Sequence, residues 1–290
     1  MAKPVRDLLA GRGVHLGELA DVLADQYGDR VAIEDPASTP GLHVGGARSY
    51  IDLASHVTRL AAAHAGNGRT AGERVLLMVD NRIDVILHAM ALARLGAVAI
   101  PVNARLREAE LSAVATAAGA SAVIADAEHA DRLEQLDDDV LSALAVQRTG
   151  DDGGPGLALW LTANPAATLA PRNLDPRTTV LLLATSGTTG LPKAAALTSR
   201  GLTASMGRLL LVPLGYQSGP RKGRDLLLAA LPLTHVMGFI GVLGAMSAGV
   251  PFVHRPRFDA AEMLDLIEQR RPNPFVGVPT MYADLERAGA

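Results

Sequence analysis

Apolar residues recur at helical spacing near the start of the chain. Those between Leu16 and Tyr27 fall on one face of a predicted helix, and a short apolar run at 31–34 predicts a strand. A polar, glycine-rich turn at 35–48 then precedes a second predicted helix at 50–65.

From Arg74 onward, short apolar runs alternate with longer stretches at helical spacing. The predicted elements are strand 75–79, helix 83–95, strand 97–101, helix 108–118 and strand 122–125. Asn81 is a candidate N-cap with Asp84 three positions on, and Gly96 stands where a left-handed residue should end the helix. Such alternation predicts parallel strands joined by right-handed crossovers.

The pattern weakens between residues 126 and 177 and then resumes. The later predicted elements are strands at 179–184, 194–197, 225–230 and Phe252, and helices at 202–211, 238–248 and 260–269, the last capped by Asp259. Residues 161–177, rich in Pro, Ala and Asn, predict a connection. We therefore predict an α/β fold of two stacked subdomains, 1–175 and 176–290, with mostly parallel sheets flanked by helices.

Composition narrows the possible functions. The chain has 290 residues, 49% hydrophobic and 20% charged, which is typical of a globular protein. The net charge of -3 gives no bulk attraction to nucleic acid, and the lack of cysteine excludes disulfides. Because the first residues are too charged for a signal peptide, we predict a cytoplasmic protein.

The uncharged stretch at 236–253 has about the minimum length of a membrane span. Four glycines interrupt it and Pro251 breaks it. We therefore predict a buried helix followed by a strand, and no membrane span.

The stretch TTVLLLATSGTTGLPK, residues 178–193, is the most informative in the chain. A buried strand leads into a loop with four hydroxyls, two glycines and one of only three lysines, which are groups suited to a polyphosphate. Its lysine follows the second glycine by three positions, so the loop does not match the P-loop of nucleotide triphosphatases. The candidate phosphate-binding residues are Thr185, Ser186, Gly187, Thr188, Thr189, Gly190 and Lys193.

This loop resembles the signature TSGTTGxPK of the adenylate-forming superfamily, which includes acyl-CoA and aryl-CoA synthetases. Residues 96–126 also resemble the part of acyl-CoA synthetases that precedes the loop. The resemblance implies that the loop binds ATP and that Lys193 is catalytic. Ala194 and Ser199 depart from the family, which usually has glycine and histidine there.

The segment PLTHVMGF resembles the PLxHxxG motif of acyl- and aryl-CoA synthetases. The resemblance implies that His235 lies against the carboxylate substrate, with Gly238 and Phe239 nearby and with Gly277 and Thr280 at the acyl pocket. Amino-acid-activating relatives have a Phe-Asp pair instead of the histidine. We therefore expect an acid without an α-amino group, with a fatty acid favoured.

The resemblance implies ATP-dependent formation of acyl-AMP and then acyl-CoA, with Mg²⁺ accompanying ATP and CoA as co-substrate. RTGD at 148–151 resembles a ribose-binding motif but precedes the phosphate loop, so we interpret it as coincidence. The family's adenine, ribose and C-terminal lysine motifs are expected beyond Ala290. We expect this N-terminal fragment to be inactive alone.

Three hypotheses remain open. The chain is either part of the ligase or a noncatalytic nucleotide- or acyl-binding module, and an amino-acid adenylation fragment is disfavoured by His235.

No two histidines stand four apart on a predicted helix, so we predict no metal site, and His56 and His64 are interpreted as surface or hydrogen-bonded residues. The expected partners are a small carboxylic acid and ATP. The sequence does not indicate an oligomeric state.

Overall fold

The computed structural model describes residues 14–35, 46–149, 174–185, 193–206 and 225–289. The helices are α1 (Leu16–Tyr27), α2 (Tyr50–Gly66), α3 (Asp84–Leu95), α4 (Glu108–Ala118), α5 (Ala127–Ala130), α6 (Asp138–Ser142), α7 (Ser199–Met206), α8 (Val236–Ala248), α9 (Ala260–Arg270) and α10 (Pro279–Ala288), with a 3₁₀ turn at Asp131–Gln135. The strands are β1 (Val31–Asp35), β2 (Gly46–Ser49), β3 (Arg74–Met78), β4 (Val98–Pro101), β5 (Ala122–Asp126), β6 (Ala145–Thr149), β7 (Thr179–Thr185), β8 (Lys193–Thr198), β9 (Leu227–Ala229), β10 (Phe252–His254) and β11 (Phe275–Val276).

The first sheet has the strand order β6-β5-β3-β4-β7-β8. All its neighbouring strands are parallel except β7 and β8, which pair antiparallel. Helices α3 and α4 are the crossovers after β3 and β4, as the alternating pattern predicted. Strand β6 was not predicted, because it falls in the stretch where the apolar pattern weakens.

The second sheet has the order β11-β9-β10-β1-β2, parallel except for the β1–β2 pair. It combines strands from the start of the chain with strands that follow residue 225. The first sheet likewise contains β7 and β8, which lie beyond the division proposed at residue 175. That division therefore does not separate the sheets, because the buried run of β7 pairs with β4 rather than with β9 or β10.

The buried apolar residues that the structure describes form three clusters, of which one joins the two sheets. The largest core lies between them, where Val75 and Leu77 of β3 share one cluster with Leu243 of α8 and Phe252 of β10. Leu76 and Met78 of β3 instead point to the outer face, where a second cluster includes residues of α4. A third cluster packs β9 and β10 against α9 and α10. The predicted stack of two mostly parallel sheets with flanking helices is confirmed.

Most predicted helix boundaries agree with the structure, including the left-handed Gly96 after α3 and the Asp259 cap of α9. The prediction that Asn81 caps α3 is wrong. The helix begins after Ile83 without a side-chain cap, and the Asn81 side chain bonds elsewhere. Among the described residues, none of the helices has the length and apolar character needed to cross a bilayer.

Candidate active site

Polar residues follow or end three of the parallel strands of the first sheet at their carboxyl ends. Asp80 follows β3, Asn103 follows β4, and Asp126 ends β5. In open α/β sheets ligands bind beyond this edge. The loop after β7 begins at the same edge of the sheet, because β7 runs parallel to β4.

The ends of the phosphate loop are fixed by strand pairing. Thr185 is the cross-strand partner of Lys193 in the antiparallel β7–β8 pair. The candidate residues Ser186, Gly187, Thr188, Thr189 and Gly190 lie outside the described residues. The Lys193 side chain is exposed.

A cavity of about 460 Å³ lies between the carboxyl ends of the two sheets. From the first sheet it is lined by residues that follow β3 and β4, and from the second by residues that follow β9 and β10. The lining residues are Val79, Asp80, Asn81, Asn103, Ala104, Arg105, Ala230, Pro232, Thr234, Pro256, Arg257, Phe258 and Met281.

His235 stands exposed at the N-cap of α8. It closes a tight turn, because its backbone N–H donates to Pro232 O at 3.2 Å and its carbonyl accepts from Phe239 N at 3.0 Å. Gly238 allows the helix to approach this turn, since a Cβ there would lie 2.2 Å from Pro232 O. The turn thus presents the imidazole on the surface next to the cavity residue Thr234.

The other predicted substrate residues differ in their surroundings. The Phe239 ring is fully buried in the main core and is not a cavity-lining group. Gly277 packs against the Phe275 ring and lies close to Met281, which lines the cavity. Thr280 is exposed in the first turn of α10, directly after Pro279. Of these residues, Gly277 and Thr280 are thus near Met281 without being among the cavity-lining residues, and Phe239 belongs to the core.

A charged network supports the loop between β3 and α3. Asp126 Oδ2 accepts from Arg82 at 2.7 Å and from the backbone N–H of Asp80 at 2.9 Å. His129 Nε2 lies 2.9 Å from Asp80 Oδ1, and this hydrogen bond lowers the pKa of Asp80. Burial raises the pKa of Asp84 to about 7, against the opposing effect of Arg82, whose Nε is 3.4 Å away.

Asp80, Asp126 and His129 bring one possible metal-ligating atom each within 4.8 Å of one another. The guanidinium of Arg82 already lies against this group and bonds to Asp126. The guanidinium already supplies the positive charge that a metal ion would bring to these carboxylates. We therefore assign no metal to this group.

Sequence reasoning missed several cavity residues, among them Asn81, Arg105, Arg257 and Met281. The available signal was their place in the chain, because the first three lie within four residues of the carboxyl end of a parallel strand. The RTGD segment is only partly described. Its Arg148 and Thr149 end strand β6, whereas a solvated turn was predicted.

Two curated relatives match most of the chain. A 4-coumarate–CoA ligase 1 from Oryza sativa subsp. japonica is 30% identical over 260 residues, which are 85% of this chain and 45% of the relative. A feruloyl-CoA synthase from an Amycolatopsis species is 32% identical over 257 residues, 87% of this chain and 48% of the relative. The chain therefore spans about half the length of these relatives.

Solved structures also match most of the chain. The inhibitor-bound N-terminal domain of FACL13 from Mycobacterium tuberculosis superposes with a TM-score of 0.78 at 25% identity, covering 92% of this chain and 63% of that one. Apo MatB from Rhodopseudomonas palustris gives a TM-score of 0.76 at 26% identity, covering 95% and 52%. The family described as AMP-binding enzyme matches residues 21–290. This match extends over both sheets and the cavity between them, and the chain belongs to the AMP-binding enzyme family.

Proposed function

We propose that the chain forms the ATP- and acid-binding part of an AMP-forming acid–CoA ligase. A carboxylate oxygen of the acid would attack the α-phosphorus of ATP, and the bond from that phosphorus to pyrophosphate would break. The thiol of CoA would then attack the acyl carbon, lose its proton and expel AMP, leaving a thioester. The whole reaction is proposed for the complete protein, and ligand binding is proposed for this chain.

One observation carries the proposal. The hydroxyl- and glycine-rich residues 186–192 connect two paired residues, Thr185 and Lys193, at the carboxyl edge of a parallel sheet. A loop held at both ends in this position can direct its N–H groups and hydroxyls toward phosphates, and the ammonium adds a positive charge. Phosphoryl transfer depends mainly on such positioning and charge neutralisation.

The proposed residue roles follow the two motifs. Thr185, Ser186, Gly187, Thr188, Thr189 and Gly190 would bind the phosphates of ATP. Lys193 would neutralise the charge that develops as pyrophosphate leaves. His235 would lie against the acid, with Gly238, Gly277 and Thr280 around it, and the buried Phe239 would support that wall from behind.

Mg²⁺ would enter with ATP and screen its β and γ phosphates. The carboxylates of Asp80 and Asp126 do not fit a magnesium site, because they already accept hydrogen bonds from His129, Arg82 and a backbone N–H. The ion is therefore assigned to the phosphate oxygens of ATP. CoA is the acyl acceptor.

The acid is proposed to lack an α-amino group, since His235 stands where amino-acid-activating enzymes have an aspartate. The sequence favoured a fatty acid, whereas the names of the two curated relatives refer to 4-coumarate and to feruloyl-CoA. Both classes therefore belong in the substrate panel. A cytoplasmic location is retained as part of the proposal.

Equilibrium binding of ATP and of acyl-sulfamoyl-adenosines with fatty and aryl acyl groups tests the proposal in this chain, and acid-dependent exchange of pyrophosphate into ATP tests it in the complete protein. Binding of at least one such mimic more tightly than ATP supports a ligase, because the mimic spans both substrate sites. Binding of ATP with no gain from any acyl group would favour the noncatalytic nucleotide-binding module. No binding of either would contradict both functions.

A further inference from the structure

The side chain of Asn81 bridges the two sheets. Asn81 follows β3 of the first sheet, and its Oδ1 accepts from the backbone N–H of Leu233 at 2.7 Å. Its Nδ2 donates to Pro256 O at 2.9 Å and to Leu231 O at 3.4 Å. These partners follow β9 and β10 of the second sheet and are at least 150 positions away in the chain.

These contacts require a carboxamide. Leu233 N–H can only donate and the two carbonyls can only accept, so the orientation of the amide is fixed. An aspartate would place a carboxylate against two carbonyl oxygens. An alanine would leave three backbone groups without this partner, in a region that is partly closed to water.

The residue that makes these contacts is itself held in place. The preceding Asp80 donates its backbone N–H to Asp126 Oδ2 at 2.9 Å, and the following Arg82 binds the same oxygen at 2.7 Å. Asp126 ends β5, which pairs with β3. The Asn81 backbone is therefore fixed to the first sheet on both sides.

The turn that Asn81 holds is the one that presents His235. Leu231 and Leu233 flank Pro232, whose carbonyl accepts from the backbone N–H of His235. From within the second sheet, His254 Nε2 also lies 3.1 Å from Leu231 O. Fixing this turn fixes the start of α8 and, with it, the backbone position from which the exposed imidazole projects.

We propose that Asn81 is a positioning residue that sets the place of His235 relative to the phosphate-binding edge of the first sheet. The proposal rests on the acid-binding role proposed above for His235. Asn81 touches no reacting atom in this account. It acts through the backbone of residues 231–233, and it joins the acid side of the cavity to the sheet that carries the phosphate loop.

The test compares Asn81→Ala with Asn67→Ala in the 290-residue chain. Asn67 is a matched control, because its amide donates to Ala63 O at 2.8 Å at the exposed end of α2, away from the cavity. Two measurements need no ligand. One is hydrogen exchange of the backbone amides at Leu231 and at 233–236, and the other is the ring ¹H–¹³C signal of His235, assigned with His235→Gln.

In Asn81→Ala, exchange of the Leu233 amide should accelerate at least about tenfold and the His235 ring signal should shift, while Asn67→Ala changes neither. Asn81→Asp, which keeps the size of the side chain, should shift the same signal if the alanine variant folds poorly. Unchanged exchange and an unchanged His235 signal in both Asn81 variants would overturn the proposal. So would equal acceleration across both sheets, since that indicates a general loss of stability.

Ligand binding separates this inference from the proposed function. For Asn81→Ala, affinity for 4-coumaroyl-sulfamoyl-adenosine should fall at least about fivefold, with ATP affinity unchanged. A wild-type chain that binds neither compound would contradict the proposed function, while the exchange and ring-signal measurements would still decide the position of the turn. Equal losses of both affinities would contradict a role confined to His235.

Discussion

Thr185 and Lys193 face each other across the β7–β8 pair, so the loop between them begins and ends at one point of the first sheet. Strand β7 lies between β4 and β8, and its residues Val180 to Leu183 are buried. The buried, paired strand therefore fixes the position of Thr185, where this loop begins. This relationship gives the phosphate-binding hypothesis a structural basis that the motif alone lacked.

Gly238 is expected to tolerate no side chain. Gly238→Ala would place a methyl group 2.2 Å from Pro232 O, and a backbone carbonyl can move away only by shifting the His235 turn. We expect a loss of about 2 kcal/mol in the free energy of unfolding, measured by urea denaturation.

Gly241 on the same helix is the matched control. Nothing lies within 4 Å of a Cβ built there, and the residue borders a small apolar void of about 10 Å³. Gly241→Ala should therefore raise the free energy of unfolding by about 0.5–1 kcal/mol through helix propensity. Equal losses in the two variants would show that α8 does not pack against residues 232–235 as described.

Gly249, which ends α8, lies against Tyr27 of α1. Its φ of 71° is in the left-handed region, and an added Cβ would lie 2.6 Å from the ring of Tyr27, whose hydroxyl donates to Ser247 O at 2.9 Å. Gly249→Ala should cost at least about 2 kcal/mol in unfolding free energy, because strain and overlap act together. Gly28→Ala shares the positive φ but has open space around it, so it should cost less.

Asp84 should make stability depend on pH. Its pKa of about 7 in the folded protein exceeds the ordinary value, so the folded state holds a proton that the unfolded state releases between about pH 4 and 7. The stabilisation from this proton is complete below about pH 4 and is lost as the pH rises through 7. The corresponding change in the free energy of unfolding is on the order of a few kcal/mol.

Asp84→Asn isolates this effect. Its unfolding free energy relative to wild type should be higher at pH 8 than at pH 5, in chemical denaturation at each pH. Buried His15 and His88, whose pKa values burial lowers to about 4, affect both proteins alike and cancel in the difference. The exposed Asp265→Asn serves as the control, and a pH-independent difference for Asp84→Asn would refute the assignment.

The sequence was sufficient for the local structure and for the two motifs. The spacing of apolar residues predicted α1 and α4 with the observed ends, and the uncharged stretch after His235 is the buried helix α8 followed by β10. These features depend on neighbours within the chain. Local pattern is enough for them.

Long-range pairing was harder to predict. The spacing of apolar residues does not indicate that β1 pairs with β10. The sequence therefore did not predict that the second sheet combines strands from the first 50 residues with strands after residue 225. Asn81 was assigned to the nearest helix end for the same reason, although its partners lie in another sheet. Cavity residues such as Arg257 become neighbours of Asp80 only when the two sheets stack.

The most direct test of the central claim is the equilibrium affinity of the 290-residue chain for ATP, measured by calorimetry for wild type, Lys193→Ala and the exposed control Arg200→Ala. If the loop that ends at Lys193 binds the triphosphate, Lys193→Ala should weaken ATP binding at least about tenfold, and Arg200→Ala should leave it unchanged. Equal ATP affinity in all three proteins, or no ATP binding by the wild-type chain, would contradict the account.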